Sequence, residues 1–240
     1  MKLSEYTVEV LKNFASINPN LLIKPGQVQR TCSTSKMLYA ETTLFESFDK
    51  EIGIYDLNKF LALMSMKQGS PDVEIEDASF AFKALNRGKI RMRFTEPKIL
   101  IAPERAIGET KYEVEFKISQ EILNWINSAA AILKAPNIIF ESDEGEITIS
   151  AADANGAMTD DASIPVEGNS KHKFVAILNL DNINFIPGDY QVSLSSGGHI
   201  KWANMTKGKD MTYWTALAAE DAKKIRKSEF DGKPMGRKKK

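Results

Sequence analysis

Four side chains in the second half of the chain could form a cluster of carboxylates and an imidazole suited to acid–base chemistry: Asp153, Asp160, Asp161 and His172. Asp160-Asp161 follows Asn155-Gly156, a dipeptide typical of turns, so a turn is the favoured interpretation for these two residues. The sequence contains no GxxxxGK[ST] phosphate loop, no GxGxxG after a strand and no GxSxG nucleophile elbow. We therefore expect no catalytic residue and no enzyme activity.

Cysteine and histidine are too scarce for a disulfide or a histidine-rich metal site. Cys32 is the single cysteine among 240 residues, and His172 and His199 are the two histidines. Because Cys32 falls in a predicted strand, we expect an inert core side chain rather than a reactive thiol. No metal and no cofactor are expected.

Charge is distributed unevenly between the body of the chain and its end. Nine of the 32 Lys and Arg residues and four of the 32 Asp and Glu residues lie in 220–240, which leaves 23 basic and 28 acidic residues in the body. The tail, 220–240, holds few apolar side chains and is expected to be disordered. Its positive charge would serve nucleic-acid binding or a solubilising end equally well.

Hydropathy predicts neither a membrane span nor an export signal. Hydrophobic residues make up 42% of the chain, but no apolar run approaches the roughly 20 residues of a membrane helix. The N-terminal sequence MKLSEYTVEV lacks the apolar core of a signal peptide. We expect a cytoplasmic globular protein with one large domain or two ordinary ones.

The clearest structural unit is a strand followed by a helix at 112–134. Tyr112 to Ile118 alternates apolar and charged residues, which is typical of a strand with one buried face. Ser119 is the predicted N-cap of the helix. The expected buried stripe of that helix is Ile122, Leu123, Ile126, Ala130 and Leu133.

The same helical unit recurs along the chain. Ser4 is predicted to cap a first helix and Asp56 a second, while Asp181 would cap a fourth of at most two turns that ends before Pro187-Gly188. Period-two strands fill the intervals. This order indicates an α+β fold of two similar halves, each with antiparallel sheets and two helices on one face.

The segment 96–111 separates the two halves. Two prolines and a glycine flank a short apolar run in it, so we expect an extended crossover packed across a surface. The predicted domains are an N-terminal domain at 1–105, with the crossover linker at 96–111, and a C-terminal domain at 112–219. Antiparallel halves of this kind expose edge strands, which a closed ring of subunits would cover.

Several segments, in the same order, resemble the sliding clamps of T-even-type bacteriophages. They are MKLS…T…LKNFASIN at the N-terminus, Tyr39-Ala40-Glu41, the helix start at 54–61 and Asn184…Pro187-Gly188-Asp189-Tyr190. The resemblance runs from Met1 to about Ala219. It departs at Glu5, where a basic residue would suit a position facing DNA, and after Ala219, where the chain is extended.

The resemblance implies a DNA polymerase processivity factor built as a homotrimeric ring of two-domain clamp subunits. In that family, helices line a hole through which duplex DNA passes independently of its sequence, and a clamp-loader ATPase opens the ring. Polymerase and other partners insert peptide tails into an apolar pocket near the interdomain connection. The family also activates late transcription, so late-transcription factors and RNA polymerase of the infected bacterial host are implied partners. No membrane is implied.

Under this resemblance, five lysines are predicted to face DNA: Lys2, Lys12, Lys59, Lys67 and Lys134. The three within or closing a helix lie off its apolar stripe, and Lys2 and Lys67 lie near helix ends. Ordinary solvated lysines would show the same pattern, so that interpretation stays open.

Three apolar residues of the crossover, Ile99, Leu100 and Ile101, are predicted to line the partner-peptide pocket. An apolar crossover can also simply pack on the core. A different function, that of a phage structural or assembly protein, would use the same sheet edges without tethering DNA. Such a protein would form filaments or shells, whereas a clamp forms a closed trimer, so a native mass distinguishes the two.

Overall fold

The computed structural model describes residues 2–66, 73–83, 88–156 and 160–218. The predicted tail and Lys67 lie outside these ranges. The described elements, in chain order, are α1 (Glu5–Ile17), β1 (Leu21–Ile23), β2 (Gly26–Cys32), β3 (Leu38–Phe48), β4 (Ile52–Ile54), α2 (Leu57–Ser65), β5 (Val73–Ile75), β6 (Ser79–Lys83), β7 (Lys89–Arg93), a 3₁₀ turn (Pro97–Ile99), β8 (Val114–Ile118), α3 (Gln120–Leu133), β9 (Asn137–Asp143), β10 (Glu146–Ala152), β11 (Ala162–Asn169), β12 (Lys173–Asn179), a second 3₁₀ turn (Leu180–Asn182), β13 (Tyr190–Ser195), β14 (His199–Asn204) and β15 (Met211–Ala216).

The chain divides into two compact units. Unit 1 holds Met1–Ala106 together with Asn184–Ile186, and unit 2 holds the rest. Each unit contains antiparallel strands and at least one α-helix.

Unit 1 packs α1 against α2 and against the antiparallel pair β2–β3. Strand β1 pairs with β4, and β5, β6 and β7 form a three-stranded sheet. Phe60 of α2 lies on that sheet, with its ring centroid 4.7 Å from that of Phe80 and 5.6 Å from that of Phe82. These edge-on aromatic contacts fix α2 to the sheet.

Unit 2 is one continuous run of antiparallel strands in the order β12, β9, β10, β11, β8, β13, β14, β15. Helix α3 packs on β10 and β11. The core centres on Trp202, which is fully buried and whose ring centroid lies 5.7 Å from that of Phe140. Its indole Nε1 donates to Thr215 Oγ1 at 2.9 Å, so the one polar group of that ring is satisfied.

The predicted fourth helix differs from the structure. In the structure, this part of the chain forms a single 3₁₀ turn. The N-cap of that turn is Asn179, whose Oδ1 accepts a hydrogen bond from Asp181 N at 2.8 Å. Asp181 is therefore not the cap. Just after this turn, Asn184–Ile186 belong to unit 1, where Asn13 Nδ2 donates to Asn184 O at 2.9 Å and so competes with a longer helix. Within its described residues, unit 2 has one α-helix rather than the expected two.

Candidate functional site

Helix α1 presents a narrow charged face opposite its buried stripe. The buried residues are Tyr6, Thr7, Val10, Leu11, Phe14 and Ala15. Lys12 and Glu5 are exposed on the other side, and Lys2 is exposed just before the helix. The face that the sequence predicted to meet DNA is thus accessible, but it carries acidic as well as basic charge.

A carboxylate from β3 fixes the start of α1. Glu46 accepts hydrogen bonds from the Ser4 backbone N–H and from the hydroxyl groups of Ser4 and Thr7. Burial would raise the pKa of Glu46, but these hydrogen bonds together outweigh burial and lower its pKa. Ser4 Oγ in turn accepts from Thr7 N at 3.1 Å, which confirms Ser4 as the N-cap.

Helix α2 carries a single charged residue, Lys59, and its side chain is exposed. The predicted cap is confirmed, since Asp56 Oδ1 accepts from Lys59 N at 2.9 Å. Leu57, Phe60 and Met64 form the buried side. The exposed side of α2 is therefore almost uncharged apart from one lysine.

The start of helix α3 is held by its N-cap and by two hydrogen bonds of its first residue, Gln120. Ser119 Oγ accepts from Ile122 N at 3.3 Å, as predicted for the N-cap. Asp189 Oδ1 accepts from Gln120 N at 2.8 Å, and Gln120 Oε1 accepts from Gly188 N. Gly188 and Asp189, part of the segment that resembles the clamp family, thus bind the first residue of α3.

The outer face of α3 is uncharged over most of its length. It exposes small side chains, together with Trp125 at 43% and Ile132 at 80% of their surface. Lys134 follows the helix with φ 54° and ψ 35°, a left-handed conformation that ends it, and its side chain is exposed.

The predicted lysines that the structure describes share one property. Lys2, Lys12, Lys59 and Lys134 are all exposed, and none forms an ion pair with another described residue. Their charges are therefore available to an external anion. Lys67 lies outside the described ranges.

The connecting segment of unit 1 (residues 95–105) exposes two of the three residues predicted for the partner pocket. Ile99 is 61% and Ile101 41% exposed, whereas Leu100 turns toward Gly53. A Cβ at Gly53 would lie 2.1 Å from Thr95 O, so only glycine lets the segment lie this close to β4. Thr95 N donates to Gly53 O at 2.9 Å at the same point.

Two asparagines that the sequence analysis did not single out hold this segment at its middle. Asn18 Nδ2 donates to Ile101 O at 2.8 Å, and Ile101 N donates to Asn20 Oδ1 at 3.2 Å. Farther along, Tyr39 Oη donates to Arg105 O at 3.2 Å. The signal in the sequence is an asparagine on each side of Pro19, a pattern that by itself indicates only the end of a helix.

The carboxylate and imidazole cluster is not a metal site in the structure. Within the described residues, no group of three His, Cys, Asp or Glu side chains could hold a metal ion. Asp153 Oδ1 accepts from Asn155 N at 2.9 Å, whereas Asp160 and Asp161, for which the sequence predicts a turn, directly precede strand β11. Burial raises the pKa of the Cys32 thiol, as expected for an inert core cysteine. No helix in the described ranges is long and apolar enough to cross a membrane.

Both halves of the chain match known protein families. A family model described as DNA polymerase processivity factor matches residues 2–99, and one described as gp45 sliding clamp, C terminal, matches residues 113–219. The sliding clamp of Enterobacteria phage T4 is 28% identical over 225 residues, covering 92% of this chain and 98% of that protein. The sliding clamp of Escherichia phage RB69 is 25% identical over 224 residues, with the same coverage.

The chain belongs to the phage sliding-clamp family. It is a DNA polymerase processivity factor of the clamp type. Among solved structures, A. fulgidus PCNA bound to the C-terminal region of FEN-1 matches this clamp with a TM-score of 0.68 and 13% identity, over 90% of this chain and 96% of that one. At that identity the match shows the fold alone, and it confirms the predicted α+β clamp fold.

Proposed function

We propose that this clamp encircles duplex DNA as a homotrimeric ring and tethers the replicative polymerase without catalysing a reaction itself. The observation that carries the proposal is the character of the exposed helix faces. Each presents isolated lysines, free of ion pairs with described residues, on a surface that is otherwise sparsely charged, and α3 also exposes the apolar side chains of Trp125 and Ile132.

Weak attraction is what a sliding ring needs. Topological linkage holds the DNA, so the lining must only offset the repulsion between phosphates and the acidic body of the chain. Each lysine that neutralises a phosphate releases counterions, and the resulting attraction is independent of base sequence. Lys2, Lys12, Lys59, Lys67 and Lys134 are the residues we assign to this role. A denser basic face would hold DNA too firmly to slide.

The partner site is proposed at Ile99, Leu100 and Ile101. Two of these side chains are exposed apolar residues on a segment whose backbone is anchored at both ends, which suits a short apolar peptide. The solved PCNA relative carries the C-terminal region of FEN-1, so a partner peptide on a clamp of this fold has a precedent.

The remaining parts of the proposal concern the cell. In the cytoplasm of an infected bacterium, a clamp-loader ATPase would open the ring and place it on DNA. The same clamp would contact late-transcription factors and RNA polymerase, as the family resemblance implies. These partners follow from the resemblance and from the accessible connecting segment.

Sedimentation and DNA retention test the ring together. We expect a trimer at micromolar concentration by analytical ultracentrifugation, and retention on circular DNA that exceeds retention on linear DNA. A monomer at every concentration would remove the ring. Changing Lys12, Lys59 and Lys134 to Glu should reduce the salt-sensitive affinity for a short linear duplex, whereas the same change at the exposed control residues Lys111, Lys117 and Lys171 should not.

A further inference from the structure

The tripeptide Asn18-Pro19-Asn20 joins the ends of the two helices of unit 1. Asn18 N donates to Phe14 O at 2.8 Å and closes the last turn of α1. Leu57 N, in the first turn of α2, donates to Pro19 O at 2.8 Å. One short loop therefore makes a backbone hydrogen bond at the end of α1 and another at the start of α2.

The side chains of the same loop hold the connecting segment. Asn18 Nδ2 donates to Ile101 O at 2.8 Å and to Cys32 O at 2.9 Å. Asn20 Oδ1 accepts from Ile101 N at 3.2 Å, and Asn20 Nδ2 donates to Tyr55 O at 2.7 Å. Both backbone polar groups of Ile101 are thus bound by two asparagines.

These contacts are directional, and the two asparagines that make them are buried. Asn18 is 1% and Asn20 9% exposed, and Asn20 N donates to Asn18 Oδ1 at 2.9 Å. Because buried amides lose much when a partner is removed, a shift of Ile101 must be matched by a shift of both side chains. Tyr55, on the far side of Asn20, directly precedes Asp56, the cap of α2.

We propose that Asn18 and Asn20 are positioning residues that couple a peptide on Ile99–Ile101 to the ends of α1 and α2. The inference rests on the proposed function, in which that segment binds a partner and those helices face DNA. A peptide that orders the Ile101 backbone acts through Asn20 on Tyr55 and the start of α2. By linkage, a ligand on α2 acts equally on the segment.

The link can be tested first without any partner, by amide hydrogen exchange of the full chain. Asn20→Ala should speed exchange at Leu57 N–H by about tenfold, although the acceptor of that group, Pro19 O, is untouched. Gln29→Ala is the matched control. Gln29 is 2% exposed and its Nε2 donates to Lys24 O at 2.9 Å, but it does not touch the connecting segment. Equal acceleration in both variants, or none in Asn20→Ala, would overturn the link.

The second experiment adds a fluorescein-labelled peptide with the C-terminal residues of the phage polymerase. In the wild type, the peptide should slow exchange at both Ile101 and Leu57. In Asn20→Ala, its Kd should be about tenfold higher and Leu57 should no longer respond. Gln29→Ala should bind and respond like the wild type.

The variant Asn20→Asp separates two roles of Asn20: holding the backbone of Ile101, and coupling that backbone to the start of α2. Its carboxylate can still accept from Ile101 N but cannot donate to Tyr55 O. We expect near-normal peptide affinity and no response at Leu57. If the peptide binds the wild type and Leu57 does not respond, coupling is wrong while the partner site stands. If the peptide fails to bind the wild type, the proposed partner site falls and this inference falls with it.

Discussion

The N-termini of α1 and α3 are held by the same kind of hydrogen bonds, but the two sets of bonds differ in how deeply they are buried. Each has a serine N-cap and, in addition, a carboxylate from a distant part of the chain: Glu46 for α1 and Asp189 for α3. Glu46 binds Thr7, which is fully buried, whereas Asp189 is exposed. The difference indicates that the start of α1 is built into the core of unit 1, while that of α3 rests on a surface contact.

The outer faces of the two helices differ in charge. Helix α1 exposes Glu5 and Lys12, whereas α3 exposes Glu121 in its first turn and then uncharged side chains such as Asn124, Ser128 and Ala131. If both faces meet DNA, α1 contributes charge of both signs, and α3 provides a neutral surface beyond its first turn. The comparison predicts that the two helices respond differently to loss of their anchors and to changes of charge.

The largest effect should come from Glu46→Ala. It would leave the buried Thr7 hydroxyl and the Ser4 N–H without their acceptor, which we expect to cost about 2 kcal/mol of unfolding free energy. Urea denaturation of the full chain measures this value. Glu41→Ala is a control on the same strand, because Glu41 pairs with Arg30 near the surface. A loss no greater than that of the control would mean that Glu46 does not anchor α1.

A smaller loss is expected for Asp189→Ala. An exposed acceptor at the start of a helix stabilises by about 1 kcal/mol or less, through one hydrogen bond and the helix dipole. Denaturation curves measured beside those of Glu46→Ala give the ranking directly. Should Asp189→Ala prove the more damaging change, the contrast in burial between the two anchors would not govern their strength.

The serine caps of α1 and α3 can be predicted from the sequence, whereas the carboxylates that bind the same helix ends cannot. Ser4, Asp56 and Ser119 could be identified as caps because cap and helix adjoin in the chain. Glu46 and Asp189 could not, since their partners are brought near only by the fold. The same holds for Asn18 and Asn20, whose bonds to Ile101 depend on the path of the connecting segment.

The overextended fourth helix has a related cause. Local pattern favoured two turns from Asp181, but Asn184–Ile186 are held in unit 1 and the helix stops after Asn182. Tertiary contacts therefore override the local preference. The exposed lysines illustrate the opposite case, because their positions off the apolar stripes follow from helical periodicity alone.

Acid should weaken the α1 anchor selectively. The pKa of Glu46 is lower in the folded chain, so its ionisation stabilises the fold above the unfolded-state pKa of about 4.3. That contribution disappears as the pH falls through the lower folded pKa. The stability difference between wild type and Glu46→Gln should hence be constant from pH 8 to about 6 and shrink below about pH 4.

Glu76 is a second glutamate whose pKa is lowered by hydrogen bonds. Hydrogen bonds from Lys89, Ser79 and Arg91 lower the pKa of Glu76 to about 2. Carbon-detected NMR of the glutamate side chains can follow both groups. A Glu46 midpoint at or above its ordinary value would contradict the hydrogen-bonded anchor.

The smallest effect should be the change in DNA affinity when single charges on the two helices are altered. Removing Lys12 should weaken binding to a short linear duplex only a few-fold and reduce the slope of log affinity against log salt by about 0.9, the value for one phosphate contact. Asn124→Lys on the neutral face of α3 should increase that slope by a similar amount and slow sliding on circular DNA.

Fluorescence anisotropy over a salt series measures the slopes, with Lys117→Ala on β8 as the control. Since Lys117 pairs with Glu167 on a strand, its removal should leave the slope unchanged. If Asn124→Lys has no effect while Lys12→Ala does, then only the α1 face meets DNA and the assignment of α3, with Lys134, is wrong.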